Sequence, residues 1–256
     1  MTWPVAPRRV ISLSPATTEM VYAVGAEGRL LADTADCNYP PAAKAKQHVG
    51  KFGVVNAEYL LTLHPDLILA TSEMAPKLIA LRHLPCPVLA LQTPTMASID
   101  TAVMTVGKLL QATPAATVWQ RQWRRRLQTV QQHPPTRKTT VFFVLWPDPL
   151  MTVSDHSFIG DIVRLAGGIN VAGAVPTPYP LFSWESLLAG APDWLVYTAS
   201  LGKAGLAHGR WPQLTAVRQG RTVELVRDQV ERSGPRSVDA LEALHRALSL
   251  SRRPQR

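Results

Sequence analysis

One pattern occurs twice in this chain, once in each half. Residues Asn56–Ala70 read NAEYLLTLHPDLILA and residues Ser183–Tyr197 read SWESLLAGAPDWLVY. Aligned, both give Glu, any residue, Leu-Leu, three residues, Pro-Asp, any residue and an apolar run. Proline cannot continue a helix, because it lacks the N–H and its ring clashes with the preceding turn. A short, uniformly apolar run suits a strand buried on both faces. Each copy therefore predicts a helix stopped by proline and followed by a buried strand. Glu58 and Glu185 fall in the first helical turn, where the helix dipole favours a carboxylate. The same unit in both halves predicts two similar α/β lobes; the alternative is that such units are simply common in α/β proteins. The copies lie too far apart for a solenoid repeat.

Between the copies runs Thr113–Gln132, TPAATVWQRQWRRRLQTVQQ. Thr113 can cap a helix and Pro114 suits its first turn. No glycine and no further proline interrupts the segment before Pro134–Pro135. One helix of roughly 27 Å is expected. Val118, Trp119, Trp123, Leu127 and Val130 recur at helical spacing, with Arg121, Arg124, Arg125 and Arg126 on the remaining surface. The resulting division is an N-terminal lobe over 8–112, a bridging helix over 113–133 and a C-terminal lobe over 134–250.

The remaining residues alternate in the same way. Strands are expected at Arg9–Leu13, Leu30–Ala32, Val88–Leu91, Thr140–Leu145 and Thr222–Val226. Helices are expected at Glu19–Val24, Pro76–Leu84, Ser98–Leu110, Ser157–Leu165 and from Pro235 to Leu250. Alternation in both halves predicts parallel sheets. In such sheets ligands bind beyond the carboxyl ends of the strands. The loops there are Ser14–Thr17, Asp36–Pro41, Gly50–Gly53, Trp146–Pro149, Tyr179–Phe182 and Asp228–Arg232. They are rich in aromatics and proline and poor in paired acids, which suits a stiff apolar binding surface better than a reaction centre. Phe52 between two glycines gains little from a core and reads as ligand-facing.

Several function classes receive no support. The chain has no G-x-G-x-x-G, phosphate-loop or G-x-S-x-G motif. Its seven histidines show no metal-ligand spacing, so no metal site is expected. Asp155–His156 could form a catalytic pair, but a solvated loop is the simpler reading, and no catalytic residue is assigned. The net charge of +9 would suit nucleic acid, yet the basic residues are scattered apart from Arg124–Arg126 and the tail Arg252, Arg253 and Arg256. Few aromatics lie among them, so no nucleic-acid partner is expected. Cys37 and Cys86 are expected to be unpaired. No run reaches transmembrane length, and Val10–Leu13 is too short for a signal-peptide core.

RVISLSPATTE, CNYPP, the VGKFG loop, both repeat copies and RDQVERSGPR together resemble the cobalamin-binding branch of the helical-backbone periplasmic binding proteins. These are the substrate-binding components of ABC importers for vitamin B12, haem and iron-siderophores. The resemblance covers about Arg8 to Leu248. It implies two α/β lobes joined by one long helix, with a flat corrinoid held in the cleft between them and no protein ligand to cobalt. It implies no enzymatic activity, no cofactor beyond the transported cobalamin, a monomer, and an importer permease as partner at the membrane surface. Its address would be the periplasm or cell surface, although the chain shows no leader. Tyr39 would line the cleft, and Phe52 stands where cobalamin proteins have a tryptophan packed on the ligand. Asp228 and Arg232 match polar residues of the second lobe. Trp146 and Tyr179 lie on ligand-facing loops of that lobe. Glu58 and Glu185 match the glutamates that dock on permease arginines. Asp36 and Thr71 depart from the pattern, standing where cobalamin proteins have rings. Two alternatives stay open. One is a haem or ferric-siderophore binder using Tyr39 or Tyr179. The other is a cytoplasmic tetrapyrrole-handling enzyme or chaperone, which would need Asp228 with Glu231, or Asp155 with His156.

Overall fold

The computed structural model describes residues 6–250; the basic tail from Arg252 lies outside them. The chain divides into two compact units. Unit 1 runs to Arg124 and takes back Arg232–Pro235; unit 2 holds Arg125–Glu231 and the chain from Arg236.

Unit 1 contains β1 (Val10–Ser12), α1 (Pro15–Ala23), β2 (Leu30–Asp33), β3 (Gln47–His48), the ribbon β4 (Gly50–Lys51) and β5 (Val54–Val55), α2 (Ala57–Thr62), β6 (Leu67–Thr71), α3 (Ala75–Leu78), β7 (Val88–Leu91), α4 (Met96–Leu109) and the first part of α5 (Thr113–Gln132). Its sheet has the order β3-β2-β1-β6-β7, parallel throughout. Every residue of β6 is buried, as a strand covered on both faces requires. The core gathers Ile11, Leu13, Leu60, Ile68 and Met74. Ser14 caps α1, with its side chain accepting from the Thr17 N–H. The helix expected at Pro76–Leu84 ends at Leu78 and tightens into a 3₁₀ turn over Ile79–Leu81, ahead of Pro85 and Pro87.

Unit 2 contains the rest of α5, β8 (Thr139–Val144), the ribbon β9 (Trp146–Pro147) and β10 (Leu150–Met151), α6 (Phe158–Leu165), β11 (Gly168–Asn170), α7 (Trp184–Gly190), β12 (Trp194–Tyr197), α8 (Gly202–Gly205), α9 (Thr215–Arg218), β13 (Thr222–Glu224), α10 (Arg227–Val230) and α11 (Ser237–Ser249). Its sheet is β11-β8-β12-β13, again parallel. Phe142, Val144, Leu187, Leu195 and Trp211 build its core. Two α/β units with parallel sheets and one long helix entering both are the architecture expected from the repeat.

The repeat has a physical explanation that its letters did not reveal. Pro-Asp does more than stop the helix. Asp66 accepts the backbone N–H groups of Arg8 and Arg9 at the entrance to β1, at 2.7 and 2.9 Å. Asp193 accepts from the Thr140 N–H and hydroxyl in β8, at 3.0 and 3.1 Å. In each unit the carboxylate pins the strand that pairs with its own. The residue before each proline is left-handed, His64 at φ 44° and Ala191 at φ 36°. The first leucine of each pair, Leu60 and Leu187, is fully buried, while Leu61 and Leu188 are exposed.

Helix α5 keeps the expected bounds. Its buried stripe runs through Ala116, Trp123 and Val130, and Trp119 stacks on Trp123 at 5.0 Å. Val118, expected on that stripe, is exposed, since it sits about 100° around the helix from Trp119. Two of the arginines assigned to free surface are instead ties. Arg124 donates to Asp100 of α4 at 2.6 Å. Arg126 donates to Asp239 and Glu242 of α11, each at 2.7 Å. These carboxylates raise the Arg126 pKa further, and Arg126 in turn lowers that of Glu242. The grouping of the chain differs from the expected boundaries in two respects. The first part of α5 belongs with unit 1, and so do Arg232–Pro235. Ser233 explains the second difference by bonding Thr93 at 2.5 Å within unit 1.

Candidate functional site

Parallel strands bring their carboxyl ends to one edge, so the loops that leave them share that edge. In unit 1 the Tyr39 loop leaves β2 and the β4–β5 ribbon leaves β3. VGKFG is therefore a tight hairpin and not an open loop: Gly50 faces Val55, Lys51 faces Val54, and Phe52-Gly53 form the turn. Gly53 has φ 76°, which a side chain rarely adopts. The turn presents Phe52 with 41% of its surface exposed, and Tyr39 is exposed at 44%. Such exposure of two rings on one rim is what a ligand-facing surface requires.

Three side-chain bonds hold this rim, and none of the three was singled out from the sequence as a tie. The Phe52 N–H donates to Asp36 Oδ2 at 2.6 Å, fastening the hairpin to the Tyr39 loop. Asp36 is thus a structural tie. Arg232 donates to Asn38 Oδ1 at 2.7 Å and lies 3.9 Å from the buried Glu19. Arg232 was expected in the second lobe with Asp228; it belongs to unit 1, because its cation is taken up by Asn38 and Glu19. Third, His48 Nδ1 lies 2.8 Å from Asp33 Oδ1 across the β2–β3 pair. Asp33 is fully buried and its second oxygen has no hydrogen-bond partner. Burial pushes its carboxyl up to about 6, against the opposing pull of His48 and Lys46. No sequence signal marks this aspartate beyond its place at a strand end.

In unit 2 the rim is built from the β9–β10 ribbon and the PTPYPLF segment. Trp146 is 46% exposed, and its indole N–H donates to the Asp148 carbonyl at 2.9 Å. PTPYPLF forms no named strand, as its prolines predict, yet it lies extended beside residues 150–154. The Thr152 N–H donates to Pro180 O at 3.0 Å, that of Ser154 to Pro178 O at 2.9 Å and that of Phe182 to Leu150 O at 2.9 Å. Proline supplies carbonyls to this ladder where it cannot supply N–H groups. Tyr179, between two such carbonyls, is 46% exposed. Asp228 follows β13 in the first turn of α10, within a stretch expected to be loop. Unit 2 thus brings Trp146, Tyr179 and Asp228 to the carboxyl edge of its sheet, and unit 1 does the same for Tyr39 and Phe52, with Arg232 held against the Tyr39 loop.

Glu58 lies exposed in the first turn of α2, whose N-cap Asn56 accepts from the Tyr59 N–H. Glu185 lies in the first turn of α7, capped by Ser183, with its side chain 83% exposed and Arg210 at 3.9 Å. Glu231, one of the acids weighed for an enzyme, is bound to Arg227 at 2.7 Å, and the His156 backbone N–H donates to Ser154 Oγ. Cys37 is buried and accepts from Thr18, and Cys86 is part-exposed; both are free thiols. Among the described residues no three histidines, cysteines or acids come together as a metal site, and no helix is long and apolar enough to cross a membrane.

Residues 10–228 match the family model described as periplasmic binding protein. The chain is 32% identical to the vitamin B12-binding protein of Pectobacterium carotovorum, covering 93% of this chain and 87% of that one. Its fold is similar to the crystal structure of the periplasmic vitamin B12-binding protein BtuF of Vibrio cholerae, with a TM-score of 0.85 and 27% identity over 96% of this chain and 98% of that one. It is also similar to the periplasmic haem-binding protein BhuT in complex with two haems, with a TM-score of 0.83 and 26% identity over 96% of this chain and 98% of that one.

Proposed function

The chain belongs to the periplasmic binding protein family, and from that membership we propose that it captures cobalamin or a related corrinoid and delivers it to an ABC importer. The observation that carries this reading is the run of vitamin B12-binding relatives matched over nearly the whole chain. The rims support it. Tyr39, Phe52, Trp146 and Tyr179 are exposed aromatics on loops stiffened by proline or by a hairpin. Rings held this way lose little entropy on binding and offer flat faces to a flat ligand. Asp228 and Arg232 would supply polar contacts to its periphery. Glu58 and Glu185, one per unit, would meet cationic groups of the permease. The working compartment is then the periplasm, and the importer is the consumer of the cargo.

Calorimetric titration of the whole chain with cyanocobalamin, with haem in parallel, tests the reading. Saturable one-to-one binding of cobalamin is expected. Phe52→Ala combined with Trp146→Ala should weaken it by about a hundredfold, since buried aromatic anchors are worth about 1.4 kcal/mol or more each. An unchanged affinity would remove these rings from the site. Haem binding in place of cobalamin would favour the second reading, with the exposed phenols of Tyr39 and Tyr179 as the groups to test next.

A further inference from the structure

A third segment of unit 1 leaves the same sheet edge as the Tyr39 loop and the Phe52 hairpin. The loop follows β2 and the hairpin follows β3; the turn and helix over 72–78, which end in α3, follow β6. All three strands are parallel, so all three segments start at the carboxyl edge. Lys77 lies on the third segment, is exposed, and reaches the hairpin. A methyl group built on Gly53 would lie 2.7 Å from Lys77 Nζ and 3.6 Å from its Cδ and Cε. The aliphatic stem therefore runs along the turn, and the ammonium rests against the glycine that follows Phe52. A lysine that lays its stem on a surface while its head stays in water is behaving as its chemistry dictates.

Nothing in unit 1 neutralises this cation. Among the described residues Lys77 makes no hydrogen bond and no ion pair. Glu73, four residues earlier and at the spacing where helical ion pairs form, does not take it. The Asp36 carboxylate that holds the turn accepts the Phe52 N–H instead. An unpaired ammonium thus stands on the rim that presents Tyr39 and Phe52.

We propose that Lys77 is a specificity-determining residue of the binding site: its ammonium contacts an anionic group at the edge of the ligand, which in cobalamin is the phosphodiester of the nucleotide loop. The identity of the anion rests on the corrinoid reading above; the placement of the cation stands on unit 1 alone. Aromatic rings grip a flat macrocycle but do not tell one corrinoid from another. A cation does, because cobalamin carries one peripheral anion, and cobinamide, which lacks the nucleotide loop, carries none. An ammonium donating to a phosphate oxygen makes a charge-assisted bond and, being a compact point charge, needs no fixed plane to do so. Exposure keeps the contact modest and makes it sensitive to salt.

The test is titration of the whole chain with cyanocobalamin and with dicyanocobinamide, for wild type, Lys77→Met, Lys77→Arg and Lys108→Met. Lys77→Met should bind cyanocobalamin about fivefold more weakly, the upper end for an exposed charge pair, and bind dicyanocobinamide as wild type does. Lys77→Arg should restore the preference, and high salt should erode it in wild type. Lys108→Met removes the same charge near the far end of α4 and should leave both affinities unchanged. Equal cyanocobalamin affinity in wild type and Lys77→Met overturns the proposal. So does an equal loss for both corrinoids, which would mark Lys77 as packing for the hairpin. Should wild type bind neither corrinoid, the corrinoid reading fails by itself, and haem, with its two propionates, decides the cation. Weaker haem binding by Lys77→Met with recovery in Lys77→Arg supports the anion contact; unchanged haem binding, or binding of no ligand at all, overturns it.

Discussion

Replacing Asp33 by asparagine should make the pH dependence of stability report which force dominates at this carboxylate. Two effects oppose each other. Burial disfavours the charged form, and the His48 bond favours it. Asp33 is fully buried and half of its acceptor capacity is unused, so burial wins and the group titrates at about 6 against an ordinary 3.8. A folded-state value above the unfolded one means that the contribution to stability is fully present below about pH 4. It is lost as pH rises through 6. The difference of about two pK units corresponds to about 3 kcal/mol, of which about 2 kcal/mol develops between pH 4.5 and 7.5. Urea unfolding of both chains at these two pH values gives the wild-type-minus-variant difference. Taking the change with pH cancels the constant cost of burying an amide in place of a carboxyl. Wild type should lose about 2 kcal/mol relative to Asp33→Asn on going from pH 4.5 to 7.5. A difference that stays constant, or that changes in favour of wild type, would refute the reasoning and show that the ion pair outweighs desolvation.

Other consequences follow from the repeat and the helix packing. Asp193→Ala leaves two Thr140 donors without their acceptor and should cost about 1–3 kcal/mol in denaturant unfolding; a loss below 0.5 kcal/mol, roughly the scatter of surface changes, would make the Pro-Asp tie incidental. Ala191→Gly relieves a left-handed residue and should be neutral to stabilising by up to about 1 kcal/mol, whereas Ala191→Val should destabilise; a destabilising glycine would contradict the strain assigned there. A side chain at Gly107 of α4 would meet the Ala116 methyl of α5 inside its contact distance, so Gly107→Val should cost about 1–3 kcal/mol or more, read as a lowered Tm.

The site and the fold are linked through strand ends. The residues that present the aromatic rings are not themselves core residues; each is held in place by hydrogen bonds. Phe52 is reached through β3 and fastened by Asp36, and Tyr179 through a ladder of proline carbonyls. This arrangement explains why rings so exposed can still be held in place. It also divides the work: the sheets set where the loops start, and a few polar side chains set where they point.

Much of this was readable from residues alone. Apolar periodicity, prolines and caps are local, so β6, β7, β12 and the whole of α5 lay within a residue or two of their expected bounds. The duplicated Glu–Leu-Leu–Pro-Asp pattern was enough to announce two α/β units, because a helix and a buried strand each have a short-range signature. The exposed aromatics were legible for the same reason: a ring between glycines or prolines has no core to enter. Pairing between distant residues was not legible. That Arg126 reaches α11, that Arg232 turns back to Asn38, and that Asp193 caps β8 depend on which surfaces the folded chain brings within 3 Å, and no spacing in the sequence encodes that. Asp33 is the clearest case. As a letter it is one more acid after a short strand. Burial beside His48, with one oxygen unpaired, is a property of its surroundings, and only tertiary packing sets the local solvation that raises its pKa.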